Sequence, residues 1–407
     1  MLSRAKTYTT SGCFALPSFV AVINEYDVVI VGAGPAGSAC ALALRHSGLR
    51  VALVDKAQFP RDKICGDAIP SPTLKHLARL DPGYATELSA LLTSRRAPTT
   101  HSRLLAPNGE ELRIAWHNPA FNIPRLHFDE ALLTLVRRHT ATDVLEDYAL
   151  RSLQTDEHGV TLAPSDSTKP PLRAALVIGC DGANSIVARS LAPRASLDRA
   201  YHCAVVRAYY TGVTDAPEDT SDFYFLREYQ AGYCWVFPVG GGVYNVGFGV
   251  LSEEVVARRL NLKHELSELL TTHPHLAPRF AEAKALTSIT GFGLPLGGST
   301  RPAHGPRIML CGDAAGLIDP LQGHGIDKAV HSGILAATQA MACFQTQRFD
   351  AEYLANYARQ IEQRIGQELA QRYRLMRFLA GKTWLVNMVV GAARWPWLRR
   401  RLLRAVG

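Results

Sequence analysis

The amino-terminal part of the chain contains a strand, a glycine-rich turn, a helix and a second strand in immediate succession. The run at 26–31, YDVVIV, is apolar and β-branched, as a parallel strand buried on both faces should be. Glycines follow at 32, 34 and 37, and the next apolar strand, 50–54, ends at Asp55, 23 residues after the first glycine. A G-x-G-x-x-G turn alone is weak evidence, but this complete order predicts a Rossmann-like nucleotide-binding unit.

The three glycines and the acid have separate expected roles. Gly32 permits the tight turn, Gly34 lets the backbone approach a diphosphate, and Gly37 lets the helix pack close to the sheet. Free N–H groups at the helix start would hold the diphosphate, and Asp55 would accept hydrogen bonds from the hydroxyls of an adenosine ribose. The alternative is a structural βαβ turn that binds no nucleotide.

Two later strands end in similar turns. The strand at 176–178 leads to Asp181, and the strand at 307–310 leads to Gly312, Asp313 and Gly316. An aspartate beside glycine at the carboxyl end of a strand lies where open α/β sheets bind ligands, although Asp-Gly is also an ordinary turn pair. Since these turns accompany a nucleotide fingerprint, we predict that these four residues contribute to the same site.

Composition excludes several classes of protein. The chain has 407 residues, 47% of them hydrophobic, which excludes a small binding module and general disorder. Its eight cysteines form no Cys-x-x-Cys pair, so we expect a reducing compartment, no disulfide framework and no metal site. The net charge of +8 is concentrated after residue 357, which argues against nucleic-acid binding. Residues 1–23 are interpreted as a leader of uncertain structure.

With these motifs placed, the chain resembles the flavoprotein superfamily of aromatic hydroxylases, halogenases and geranylgeranyl reductases. The resemblance rests on GAGPAG at 32–37, DGANS at 181–185 and GDAAG at 312–316. It implies that FAD is the cofactor, and that Arg61 and Arg125 lie beside FAD. Arg61 alternatively lies in solvent. Gly323 and Gly325, which flank His324, are also expected to contact FAD.

Within that superfamily, the chain is most similar to the geranylgeranyl reductases. The segment FPRDKICGD at 59–67, the segment YCWVFP at 233–238 and Gly316 carry this similarity. His324 stands where that family usually has Glu, which leaves the substrate open. The lysine that halogenases require is absent between residues 79 and 116, and Lys75 is interpreted as a solvent-facing helical residue, so the halogenase hypothesis is set aside.

The resulting fold prediction is an α/β protein with a Rossmann-like FAD-binding domain, an interleaved antiparallel-sheet substrate domain and C-terminal helices. The middle segment, 201–296, has the aromatic and β-branched runs of an antiparallel meander. The predicted boundaries are 24–72, 118–193 and 291–345 for the FAD-binding domain, 73–117 and 194–290 for the substrate and catalytic domain, and 346–407 for the helical region.

Four residues are candidates for the catalytic chemistry. Tyr233 and Trp235 alternate along one strand with Phe237, so all three face one way, either into a flavin-side cavity or into a core. The resemblance makes Cys65 a thiol that protonates or positions substrate; a small buried hydrophobe is the alternative. By the same resemblance His324 lies near the flavin ring and shuttles protons, or else is a solvated loop residue.

The composition of the C-terminal region suggests a contact with a membrane surface. An apolar run at 383–393, too short to cross a bilayer, is followed by tryptophans and arginines up to residue 407. We interpret 383–407 as a peripheral contact of a cytoplasmic protein with the cytoplasmic membrane face; a terminal helix packed on the protein is the alternative.

The sequence therefore supports one main hypothesis and two rivals. The main hypothesis is an FAD-dependent oxidoreductase that reduces carbon–carbon double bonds of a prenyl or lipid-like substrate. The rivals are an FAD-dependent single-component monooxygenase acting on an apolar or aromatic substrate, and a flavin-binding membrane-surface protein without turnover. No second nucleotide fingerprint is visible, so the electron donor is left open between NAD(P)H and a ferredoxin-type carrier.

Overall fold

The computed structural model describes residues 23–192, 198–299 and 301–393, and these residues form two sheets with helices around them. In chain order the strands are β1 (Asn24–Val31), β2 (Val51–Val54), β3 (Ala68–Ile69), β4 (Ala97–Leu105), β5 (Glu111–Asn122), β6 (Asp143–Leu145), β7 (Leu150–Thr155), β8 (Val160–Pro164), β9 (Leu172–Gly179), β10 (His202–Thr211), β11 (Thr220–Tyr224), β12 (Gly232–Gly240), β13 (Val243–Leu251), β14 (Lys284–Ala285), β15 (Thr290–Pro295), β16 (His304–Gly305) and β17 (Ile308–Leu310). The helices are α1 (Pro35–Ala43), α2 (Ser71–Leu80), α3 (Pro82–Leu92), α4 (Arg125–His139), α5 (Ile186–Leu191), α6 (Ser252–Arg258), α7 (Leu262–Thr272), α8 (Ala277–Phe280), α9 (Ile326–Thr346), α10 (Ala351–Ile361), α11 (Gln367–Leu379) and α12 (Thr383–Ala392). Short 3₁₀ turns lie at Arg199–Tyr201 and Gly312–Ala315, and a π turn at Glu362–Gly366 joins α10 to α11.

The first sheet is the predicted Rossmann-like unit. Its strand order is β16-β17-β9-β1-β2-β6, and β1 pairs in parallel with β2 and β9. The residues at 28–30 of β1 are fully buried, because helices cover both faces of a parallel sheet. On one face α1 packs against α9 so closely that a Cβ on Gly333 would lie 2.2 Å from the carbonyl oxygen of Ala36.

The second sheet confirms the antiparallel meander of the middle segment. Its order is β14-β10-β13-β12-β11-β4-β5-β3, and β15 pairs with β10. β4 pairs in parallel with β11, so this sheet is antiparallel except at that junction. The residues of β3, β4 and β5 come from before 123 in the chain, which interleaves the two sheets as predicted.

Three local features concern the helices. α4 begins at Arg125, directly after its N-cap Pro124. α6 and α7 are separate helices, because Arg259 after α6 adopts a left-handed φ of 54°. α2 and α3 bury Leu77 and Leu88 in the same core as β1. The predicted domain boundaries remain a prediction.

Candidate cofactor and active site

The glycine turn after β1 has the geometry of a diphosphate cradle. Gly32 has a φ of 104°, and a Cβ there would lie 2.4 Å from the carbonyl oxygen of Cys180. A Cβ on Gly37 would lie 1.9 Å from the carbonyl oxygen of Gly32, so only glycine allows α1 to start this close to the turn. No side chain caps the N-terminus of α1, where N–H groups and the helix dipole favour an anion.

Asp55 lies at the end of β2, where the sequence placed it, and it is 7% exposed. Its carboxylate accepts hydrogen bonds from the backbone N–H groups of Ala33, at 2.8 Å, and Ala57, at 3.0 Å. These contacts tie the acid to the glycine turn, and each oxygen keeps a lone pair for a ribose hydroxyl. Asp55 therefore both shapes the turn and fits its expected contact with adenosine.

Two arginines converge on a buried aspartate beside this turn. Arg125, 2% exposed, binds Asp129 through two hydrogen bonds of 2.7 Å, and Arg61 reaches the same carboxylate at 3.1 Å. Arg61 also lies 3.5 Å from where a Cβ on Gly34 would be, so its guanidinium faces the cradle. Burial disfavours the charge on Arg125, but Asp129 and Cys65 outweigh that effect and raise its pKa.

A third cation, Lys63, belongs to the segment at 59–67, and the sequence did not predict it as a site residue. Its Nζ lies 2.8 Å from the carboxylate of Asp313, in the 3₁₀ turn after β17. Burial opposes ionisation of Asp313, yet Lys63 outweighs it and lowers the pKa of that carboxyl. The pair joins the loop after β2 to the third glycine motif, which places two predicted FAD-binding segments side by side.

Asp181 has a more local role than expected. Its carboxylate accepts hydrogen bonds from the Ser185 hydroxyl and from the backbone N–H groups of Ile186 and Val187, at the start of α5. The side chain is thus engaged in shaping its own turn. Its predicted contact with FAD stays a prediction.

The glycine motif after β17 and the turn at Gly323 are the remaining predicted FAD-binding segments. Gly312 and Gly316 both have left-handed φ values, and the Gly312 N–H donates to the Ser332 hydroxyl at 3.0 Å. Gly323 also has a positive φ, and a Cβ there would lie 2.5 Å from Oη of Tyr233. Gly325 forms the N-cap of α9 without a side-chain cap. The turn containing Gly323 is therefore in direct contact with the middle sheet.

The aromatic residues of β12 form one wall, as their alternation predicted. Trp235 and Phe237 are 6% and 5% exposed, and they cluster with Tyr233, Val205 and other apolar side chains. A Cβ on Gly66 would lie 3.3 Å from the Phe237 ring and 3.6 Å from Nε1 of Trp235. The wall therefore faces the Cys65–Gly66 segment of the loop after β2.

A buried polar network fixes that segment against the wall. Asn245 of β13 accepts from Nε1 of Trp235 at 2.9 Å, and its Nδ2 donates to the Cys65 carbonyl and to the Asp67 carboxylate, both at 2.7 Å. Tyr209 donates to the same carboxylate at 2.6 Å. Burial raises the pKa of Asp67 to about 6, although these hydrogen bonds act in the opposite direction.

His324 lies between two oxygen acceptors. Its Nδ1 is 3.0 Å from the carboxylate of Asp327, and its Nε2 is 2.5 Å from Oε1 of Gln322. The backbone carbonyl of Gln322, a different oxygen from Oε1, accepts from Oη of Tyr233 at 2.8 Å. His324 is 23% exposed in its side chain, so this chain of contacts runs from solvent to the aromatic wall.

The C-terminal helices contribute a residue that sequence reasoning did not place in the site. Arg372 of α11 pairs with the fully buried carboxylate of Asp319, which also accepts from the N–H groups of Leu321 and Gln322. The turn at 319–322 is thus held in shape by α11. Two acids of the site, Asp129 and Asp319, were not predicted from the sequence. The i,i+4 spacing of Arg125 and Asp129 is a sequence signal for the first pair. Asp319 and Arg372 are 53 residues apart, so no local pattern predicts the second.

The comparisons with known proteins agree with this geometry. The family model described as "FAD binding domain" matches residues 25–372. The menaquinone reductase of Mycobacterium tuberculosis is 31% identical over 327 residues, covering 78% of this chain and 77% of that protein. Digeranylgeranylglycerophospholipid reductase 2 of Methanopyrus kandleri is 30% identical over 348 residues, covering 84% of this chain and 83% of that protein.

Solved structures show the same fold. A geranylgeranyl bacteriochlorophyll reductase-like protein from Thermoplasma acidophilum has a TM-score of 0.79 and 24% identity, covering 91% of both chains. A mutant of the halogenase PltM in complex with FAD has a TM-score of 0.71 and 19% identity, covering 91% of this chain and 83% of the other. The family model and the two reductase relatives show that the chain belongs to the geranylgeranyl reductase family of FAD-dependent oxidoreductases.

Proposed function

We propose that this enzyme reduces carbon–carbon double bonds in the isoprenoid chain of a lipid or quinone. The aromatic wall of Tyr233, Trp235 and Phe237 carries the proposal, because it places a cluster of apolar side chains with few polar groups against the Cys65–Gly66 segment. The names of the relatives support it, since one reduces menaquinone and another a digeranylgeranylglycerophospholipid. Reduced FAD, when bound, supplies the hydride for one carbon of the double bond.

The protein's own residues must bind the substrate, exclude water and deliver a proton to the other carbon. The wall orients the flat alkene and keeps water out. Cys65 lies on the loop that faces the wall, and Asn245 fixes its backbone; we propose that its thiol donates the proton. After turnover a proton from solvent returns to the Cys65 thiol, and we propose that His324, whose side chain is 23% exposed, assists that return. One hydride and one proton saturate one double bond.

Mass spectrometry of the lipid product tests the proposed reaction. Purified protein, FAD and dithionite are incubated with menaquinone or with an unsaturated isoprenoid phospholipid. A gain of about two mass units per double bond, one hydride plus one proton, is the expected result. A gain of one oxygen under air would establish the monooxygenase rival instead. Bound flavin that changes neither lipid would support the rival without turnover.

Variants of two cysteines separate catalysis from folding. Cys65→Ser should lower turnover while the FAD content stays that of the wild type. Cys343→Ser is the matched control, because Cys343 is a buried free cysteine of α9, outside the aromatic wall and the glycine turns. Equal turnover of Cys65→Ser and wild type would contradict the proton-donor role.

We further propose that α11 and α12 contact the cytoplasmic membrane face, where such a substrate resides. Among the described residues, no helix is both long and apolar enough to cross a membrane. These two helices nevertheless expose large apolar side chains: Leu375, Phe378, Trp384, Met388 and Val389, at 41%, 58%, 62%, 54% and 38%. Exposed aromatic and aliphatic side chains on neighbouring helices favour insertion at the headgroup boundary. Residues 394–407, included in the sequence-based prediction, lie outside the described residues.

Liposome flotation tests the membrane contact. The double variant Trp384→Glu/Met388→Glu should lose flotation with vesicles that contain anionic lipid. Ile23→Glu is the matched control, since Ile23 is 45% exposed and directly precedes β1 of the first sheet. If the double variant floats like the wild type, the contact is not made by α12.

A further inference from the structure

A second cleft lies beside the active site and is separate from the glycine turn. Its volume is about 730 Å³, which is within the usual range for sites that bind small molecules. One wall comes from the link between α3 and β4, with Arg95 and Arg96, and from the start of α4, with His127. The opposite wall comes from the β12–β13 hairpin and the segment around Leu286.

The first wall carries positive charge that the protein does not neutralise. Within the described part of the chain, Arg95 contacts Nδ1 of His127 at 3.3 Å and Arg96 lies over the Phe121 ring, and neither forms an ion pair with a carboxylate. Burial lowers the pKa of His127, and the positive charge of Arg95 lowers it further. This imidazole is therefore neutral at pH 7, and it can form a hydrogen bond with a ligand.

The start of α4 adds to this positive wall. The helix is 15 residues long, its Pro124 N-cap gives no side-chain cap, and Pro124, Leu126 and His127 all line the cleft. The Asp67 carboxylate accepts from the Arg125 N–H at 3.3 Å on one side of this helix start, and the positive end of the dipole also acts on the cleft beside the two arginines. An anion bound here would meet charge, dipole and hydrogen-bond donors together.

The two carboxylates that line the cleft, Asp62 and Glu218, form no ion pair with the arginines of the first wall. Asp62 is paired with Arg207 at 2.5 Å, which offsets its charge. Glu218 belongs to the side of the hairpin, where it accepts from the Gly242 N–H at 3.2 Å. The cleft thus has a cationic wall for an anionic group and, across from it, an acceptor for a hydroxyl group.

The cleft also adjoins the reacting centre. Asp62 belongs to the same loop as Cys65, and Tyr209, which lines the cleft, donates to the Asp67 carboxylate two residues beyond Cys65. The cleft therefore borders the loop that carries Cys65.

We propose that this cleft binds the phosphate group of an organic phosphate ester, at Arg95, Arg96 and the start of α4. Two sources share this chemistry: a nicotinamide nucleotide that delivers electrons, and the head group of a phospholipid substrate. The site is distinct from the FAD diphosphate cradle, and its existence does not depend on which double bond is reduced.

Calorimetric titration of the full-length, FAD-saturated protein tests the proposal, because saturating FAD blocks the glycine turn. The probes are inorganic diphosphate, NADPH and monomeric dioctanoyl phosphatidic acid, with dioctanoylglycerol as the phosphate-free comparison. Arg95→Ala/Arg96→Ala should weaken binding of inorganic diphosphate at least tenfold, because it removes two charged hydrogen-bond donors. Arg95→Lys/Arg96→Lys should restore part of the affinity.

Arg151→Ala is the matched control, because Arg151 is an exposed arginine of β7 in the other sheet. A loss confined to NADPH among the two organic probes identifies a nucleotide site, and a loss confined to phosphatidic acid identifies a head-group site. Wild-type protein that binds none of the phosphate probes overturns the proposal. So does an alanine variant with unchanged affinity while the FAD content of all variants is equal.

Discussion

Asp67 links the stability of this fold to pH in a direction opposite to that of most carboxylates. Its side chain is fully buried and its pKa is raised from 3.8 to about 6. The folded state therefore holds the proton more tightly than the unfolded state does. Its contribution to stability is fully present below about pH 3.8 and is lost as the pH rises through about 6.

The magnitude follows from the size of the shift. A difference of about two pKa units corresponds to about 3 kcal/mol of unfolding free energy between pH 4 and pH 7. Asp67→Asn removes the titration and keeps one oxygen to accept from Asn245 and Tyr209. Asparagine also tolerates the left-handed φ of 66° at this position. We therefore expect the variant to gain stability relative to the wild type, by about that amount, as the pH rises from 4 to 7.

Urea unfolding of both proteins across this pH range, at equal FAD saturation, measures the difference. Asp147→Asn is the matched control, because Asp147 also has a left-handed φ, of 55°, but its side chain is 64% exposed. The reasoning is refuted if the difference between Asp67→Asn and wild type is the same at pH 4 and pH 7, or if it changes in the opposite direction.

Three further predictions concern the site. Gly37→Ala places a methyl group 1.9 Å from the Gly32 carbonyl oxygen, so the purified protein should contain little FAD by absorbance. Arg372→Ala leaves the Asp319 carboxylate buried and unpaired, which should lower the unfolding free energy by about 3–5 kcal/mol in urea titrations; Arg374→Ala, on the same helix, is the control. His324→Ala should lower turnover and leave the FAD content unchanged, and unchanged turnover would exclude a role of His324 in proton transfer.

The sequence alone determined the Rossmann-like unit and FAD as its cofactor. The order of β1, the glycine turn, α1 and β2 is local, and each step follows from short-range chemistry: β-branched residues for a buried strand, and glycine where a Cβ has no room. The alternation of Tyr233, Trp235 and Phe237 fixed which of them share a face, and the structure adds that this face meets the Cys65–Gly66 segment.

The tertiary structure decided how distant segments complete the site. Lys63 meets Asp313 across 250 residues of sequence, and Arg372 reaches Asp319 from a helix assigned by sequence only to the C-terminal region. Tyr209 and Asn245 meet at Asp67 for the same reason. Local patterns carry no information about which buried charges will find each other, because burial makes an unpaired charge costly and only the packed chain determines which partner lies within reach.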